Sequence, residues 1–279
     1  MMLGSFRDGA AVTTKAAVSR LYGFAPVLFL GILLGTALQL VSWAAAPSAR
    51  DDFSSIPVGT ILPIQLDKPI SVKNAQPDQA IEASVMQDVP LPAGKVPMKT
   101  KAMGTVLSVA KDADGTGVKL TFKFTHLEDK KDRVPILTYL RAIAGPLSVR
   151  SAQIPPTGAD SGSPTGWTTT SQVGGDVRFG DGGKVRHGKE IVGKGVIGGV
   201  LVHISANPAL GCEGPDGAEA LQALWVFSSN ACGVYGMKGV KIAHAGKGAP
   251  VGEITLHFEK DDMKLEPGTG LLLRVAPQS

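Results

Sequence analysis

Two cysteines, five histidines and few aromatic residues are spread through this 279-residue chain, and each scarcity removes a class of function. Cys212 and Cys232 have no CxxC pair beside them, whereas a structural zinc needs about four closely spaced ligands. His187, His203, His244 and His257 stand at no mutual ligand spacing, so no metal is expected. Aromatics make up 5% of the residues and long helical periodicities are scarce, which turns the reading towards short strands joined by tight turns. Clustered basic residues are also missing. The net charge of +4 falls to +2 without residues 1–49, where Arg7, Lys15 and Arg20 outnumber Asp8. Nucleic acid is therefore not an expected partner.

Catalytic and cofactor motifs are equally thin. No Gly-Lys pair is followed by Ser or Thr at phosphate-loop spacing. Gly193, Gly195 and Gly198 in GKGVIG match GxGxxG literally. That motif binds a dinucleotide only where it opens a helix. Here a strand-like GVLVHISA follows, so the glycines read as turns. There is no GxSxG elbow. Ser228, Ser229, His244 and Asp181 would form a hydrolase triad only if the fold assembled them. The expectation is no catalytic residue and no cofactor.

The N-terminus carries the strongest signal. A basic start precedes LYGFAPVLFLGILLGTALQLVSWAAA, residues 21–46, which has no charge. Small and polar residues follow. This pattern is an export signal cleaved after Ala44, or an uncleaved membrane anchor, since the run from Phe24 to Val41 reaches about the 18 residues a spanning helix needs. Residues 1–49 are thus expected to be a signal peptide or a hydrophobic anchor helix. Residues 50–279 would then be one periplasmic or secreted domain. In an oxidising compartment Cys212 and Cys232 most often pair, and we expect a structural disulfide.

That exported part reads as mainly β. In AIEASVMQDV, Ile81, Ala83, Val85 and Gln87 share one face. In VKLTFKFTHL, Val118, Leu120, Phe122 and Phe124 oppose Lys119, Thr121, Lys123 and Thr125. Period 2 is the strand signature. DADGTG, residues 112–117, has the Asp and Gly of a hairpin turn. RVPILTYLRAIAG, residues 133–145, fits a strand first and then a strand or short helix. ALWVFSS reads as a strand or, with AEAL before it, as a helical turn. Residues 150–199 are rich in Gly, Ser, Thr and Pro and read as a long surface loop, with VRF and EIV as short strands inside it. Trp167 and Phe179, aromatics in that polar segment, are candidate partner contacts.

PVGTILPIQLDKPISVKNAQPDQAIEASVMQDVPL, then KVPMKTKAMGTVLSV, resembles the opening of the TrbI-like proteins, channel-scaffold β-barrels of conjugation and type IV secretion. The shared features are Gly59-Thr60, the strand from Ala83 to Val89, and Gly104-Thr105-Val106. LEPGTGLLLRV, residues 265–275, is similar to that family's closing strand. The resemblance covers about 80 residues at the two ends of the exported part. The family's long Pro-rich stalk is absent, and the middle shows no amphipathic helix pair. The middle and end also look like a group of uncharacterised exported proteins of soil bacteria. The resemblance implies a distorted β-barrel or clam-like sandwich with first and last strands paired. It also implies a non-enzymatic envelope scaffold or binding module, whose partner is an envelope protein or cell-wall component. Membrane contact would come only through residues 21–46 if uncleaved. The alternative is a secreted hydrolase of an envelope or extracellular polymer, with Asp176, Asp181 and Glu190 as candidate acids.

Overall fold

The computed structural model describes residues 55–112, 115–130, 132–153, 172–175, 177–178, 183–214, 220–246 and 250–277. The hydrophobic helix expected before the domain lies outside them. Strands come first: β1 (Ile61–Leu66), β2 (Ile70–Ser71), β3 (Ala80–Val85), β4 (Val89–Leu91), β5 (Gly94–Val96), β6 (Lys101–Lys111), β7 (Val118–Asp129), β8 (Asp132–Pro135) and β9 (Thr138–Ala144). A helix, α1 (Pro146–Gln153), follows. Then come β10 (Val177–Arg178), β11 (Lys184–His187), β12 (Glu190–Val196), β13 (Gly199–Val202) and β14 (Gln222–Ala223). The chain closes with β15 (Gly233–Tyr235), β16 (Val240–Ile242), β17 (Ile254–Phe258), β18 (Lys264–Leu265) and β19 (Gly270–Val275).

The mainly-β expectation holds. A large sheet runs β15-β9-β19-β1-β3-β6-β7-β17-β16, with β8 added beside β7. A second sheet of five strands runs β10 to β14 in chain order. The first and last strands pair antiparallel, Ile61 opposite Arg274 and Ile64 opposite Leu271. The large sheet is nevertheless not closed into a barrel. No ladder joins β15 to β16, although only residues 236–239 separate them. Each end uses its backbone on its own neighbour: Tyr235 O accepts from Gly145 N–H, and Gly239 O from Glu259 N–H, both at 2.9 Å.

Period 2 explains the interior of this sheet. Val118, Leu120, Phe122 and Phe124 of β7 are buried, and the residues between them are half-buried. They join Leu62, Ile64, Leu140, Ile143, Leu271 and Leu273 in one apolar core. The other face of β1, β9 and β19 is buried too. Ile61, Ala142, Ala144 and Leu272 pack with Val149 and Ala152 of α1, with Val185, Val192, Val200 and Val202, and with Leu224 to Phe227. Hence Leu271, Leu272 and Leu273 are all buried although they alternate between faces.

The segment expected as a long surface loop therefore needs correction. Residues 184–196 are paired strands of the second sheet, with Val185 and Val192 buried. Glycine permits that layer: a Cβ on Gly193 would run into the backbone of Leu201 and Val202 on the adjoining strand. Residues 133–145 resolve into β8 and β9, and the helix begins only at Pro146, a residue suited to a first helical turn. ALWVFSS is neither strand nor helix beyond β14, because Trp225 adopts φ +51°.

Candidate functional site

The two layers meet at Arg141. In β9, TYLRAIA, it is the lone charged residue of a fully buried strand. The β9–β19 register passes from Leu272 opposite Ala142 to Leu273 opposite Leu140, skipping Arg141 at a bulge that re-aims its side chain. Its guanidinium donates to three backbone carbonyls: Nε to Ala231 O at 2.9 Å, and the terminal nitrogens to Glu213 O at 2.7 Å and Ser205 O at 2.5 Å. Burial first, then the Arg274 charge, pulls its pKa down to about 10, against the opposing effect of Tyr139 and Tyr235. Arg141 thus remains a cation at neutral pH, held by carbonyl dipoles.

Two of those carbonyls, Glu213 and Ala231, lie one residue inside the cysteines. Cys212 and Cys232 form the expected disulfide, S–S 2.03 Å with Cα atoms 6.0 Å apart, and both are buried. Gln87 makes a second tie between layers. Its Nε2 donates to Val200 O at 2.8 Å, and its Oε1 accepts from Trp225 N–H at 2.7 Å. Gln172 donates to Phe227 O at 2.8 Å. Alternation puts Gln87 on the face of Ile81, Ala83 and Val85, and it is buried, two residues beyond the end of β3. Arg141 and Gln172 escaped the sequence reading; the one available signal was a single charge inside TYLRAIA.

The polar ties hold the second sheet so that one face of β11–β12 looks outward. Lys184 lies directly opposite Lys194, and Arg186 opposite Ile191. Lys184, Ile191 and Lys194 are exposed, while Val185 and Val192 point inward. Lys189 is exposed in the β11–β12 turn. At the far end, in the β12–β13 turn, Ile197 is 80% exposed. This is where the literal GxGxxG falls: it is a hairpin, with Gly198 at φ +84° in its turn, and it opens no helix.

A groove of about 600 Å³ lies elsewhere, on the large sheet. Asp112, Lys241, His257 and Glu259 line it. The ladder aligns Lys241, His257 and Lys119 in one row. Asp112 Oδ1 stands 3.2 Å from Lys119 Nζ and 3.6 Å from His257 Nδ1. Its backbone N–H meanwhile closes the hairpin onto Gly117 O at 2.8 Å. A carboxylate so placed neutralises neighbouring cations and fixes a turn.

The remaining candidates are scattered. Trp167, Phe179, Asp176 and Asp181 lie outside the described residues. Glu190 opens β12 opposite His187, away from the groove. Ser228 and Ser229 are buried. Ser229 Oγ is 3.3 Å from His187 Nδ1, so the nearby histidine differs from the His244 considered for a triad. His203 and His244 are exposed. Among the described residues no group of three or more His, Cys, Asp or Glu is arranged to hold a metal, and no helix is long and apolar enough to cross a membrane. Neither a family model, nor a curated protein, nor a solved structure matches the chain.

Proposed function

We propose that this is a non-enzymatic cell-envelope protein of the TrbI-like kind, a periplasmic or secreted scaffold or binding module, anchored at the inner membrane if residues 21–46 are retained. The observation that carries the reading is the disulfide-braced second layer. A buried disulfide suits an oxidising compartment. Arg141 and Gln87 then fix the exposed face of β11–β12 on a rigid support. A binding surface gains from such pre-organisation, because less ordering is left to occur on association.

Crosslinking in whole cells, followed by recovery of the protein from the envelope fraction, tests this. The expected result is a specific envelope component crosslinked through residues 184–197. Thiol labelling of the denatured, unreduced protein should find no free thiol. Two labelled thiols, or a protein recovered from the cytosol alone, would sink the compartment and the reading with it. A secreted hydrolase is the second reading, and what favours it is the groove holding both Asp112 and Glu259. Polymer hydrolysis abolished by Asp112→Asn and Glu259→Gln would establish it in place of the first.

A further inference from the structure

The exposed face of β11–β12 carries an excess of positive charge. Between residues 184 and 194 stand Lys184, Arg186, Lys189 and Lys194 against one acid, Glu190. Including residues 176–183, with Asp176, Arg178 and Asp181, the net charge is still +2. Lys101 of β6 and Lys119 of β7 each sit within salt-bridge distance of a carboxylate. Among the described residues none lies so near Lys184, Lys189 or Lys194. Lys184 and Lys194 are moreover directly opposed across the ladder, an arrangement that destabilises a strand pair. The folded chain retains this repulsion at its surface, where a negative partner would relieve it.

Apolar residues stand beside the cations. Ile191 is 49% exposed on the same face, and Ile197 is 80% exposed at the next hairpin turn. Met98, 39% exposed, sits against that turn, its sulfur close to Gly198. A soluble polyanion would satisfy the lysines and leave Ile197 in water. An anionic bilayer surface satisfies both, because headgroups meet the cations while a protruding side chain enters the interface.

We propose that the β11–β12–β13 hairpins dock on an anionic lipid surface, with Lys184, Lys189 and Lys194 on the headgroups and Ile197 inserted among them. This rests on the binding-module reading above and names its partner. The contact is separate from residues 21–46, an apolar run that would enter charged and uncharged bilayers alike.

The test uses the full chain carrying Ile197→Cys. Both native cysteines are in the disulfide, so the new thiol takes a polarity-sensitive dye alone. Vesicles of phosphatidylcholine, with and without phosphatidylglycerol, are added. A blue shift is expected on the anionic vesicles only, reversed by high salt. Lys184→Gln, Lys189→Gln and Lys194→Gln together should weaken partitioning about 100-fold, with a melting temperature no lower than the parent's because the Lys184–Lys194 repulsion is removed. An equal shift on neutral vesicles, no shift on anionic ones, or no effect of the three substitutions overturns the proposal. So does the same shift with soluble polyphosphate. An envelope protein captured by crosslinking without any lipid response would sink this proposal and leave the binding-module reading standing; polymer hydrolysis would sink that reading itself.

Discussion

The two faces of the β1–β9–β19 sheet are buried by different means. Inside the curled sheet the core is built from Phe, Leu, Ile and Val supplied by alternating strands, among them Phe122, Phe124, Leu120 and Ile64. Outside it, the second layer presents mostly Val, with Ile204, Leu224, Trp225 and Phe227 as its larger members. Side chains that small bury less apolar area per residue. The second layer is therefore held by other bonds as well: Arg141 on three carbonyls, Gln87 and Gln172 on backbone groups, and the Cys212–Cys232 bridge. Where packing is thin, directional and covalent links fix the position of a layer that packing fixes elsewhere.

The severest test removes what both faces share. Deleting residues 270–279 takes away β19, which contributes Leu271 and Leu273 to one core and Leu272 to the other, and leaves β1 and β9 with bare edges. Aggregation or degradation is expected, read by size-exclusion chromatography. A soluble monomer melting like the full chain would show that the two cores do not depend on it. Phe122→Ala comes next, at about 3–5 kcal/mol for the cavity it leaves. Being in the inner core, it should lower protection from hydrogen exchange in both layers together.

Arg141→Met sharpens the contrast. It orphans the carbonyls of Ser205, Glu213 and Ala231, at a cost of about 4 kcal/mol after the gain from no longer burying a charge. Exchange should quicken around residues 205–232 while β6 and β7 stay protected. Replacing both cysteines with alanine should cost about 3 kcal/mol on the chain-entropy model, with the same local signature and a smaller fall in melting temperature. Loss of protection in β6 and β7 in either variant would mean that the layers unfold as one unit.

The smallest effect belongs to the large sheet alone. Burial, then the Arg133 charge, pulls the His126 pKa below its usual value, with Glu128 opposing. The folded state favours neutral His126, so the unfolded chain takes up its proton first as the pH falls. This stabilisation is full above about pH 6.5 and is lost as the pH drops through the lowered folded value. His126→Gln should reduce the fall in melting temperature between pH 7 and pH 5. An unchanged fall would place the acid sensitivity at other groups.

How much of this was legible follows the same division. Val118 to Phe124 declared their strand and its buried face, and the pairing of the first and last strands followed from the two similar ends. Leu271–Leu272–Leu273 lay in a recognisable closing strand, which did not reveal that each side had something to pack against. The second layer was half hidden: GVLVHISA read as a strand and is β13, whereas Val185 and Val192 are dispersed among glycines, with no period long enough to count. Trp225 was unreadable for another reason: its left-handed backbone is held by Gln87, 138 residues away in sequence. The disulfide was legible from cysteine count and the export pattern, whereas Arg141 becomes meaningful only once three distant carbonyls converge on it.

The place of β19 also sets a clock. Among the described residues it is the last strand of the domain, yet it lies between β1 and β9 in the large sheet. Whatever hands the chain over N-terminus first, a ribosome or a membrane channel, delivers this strand last. Until then β1 and β9 have no neighbour between them, and neither core can be completed. Assembly must wait for the whole domain and then join its two ends in one long-range step, which is slow for such topologies.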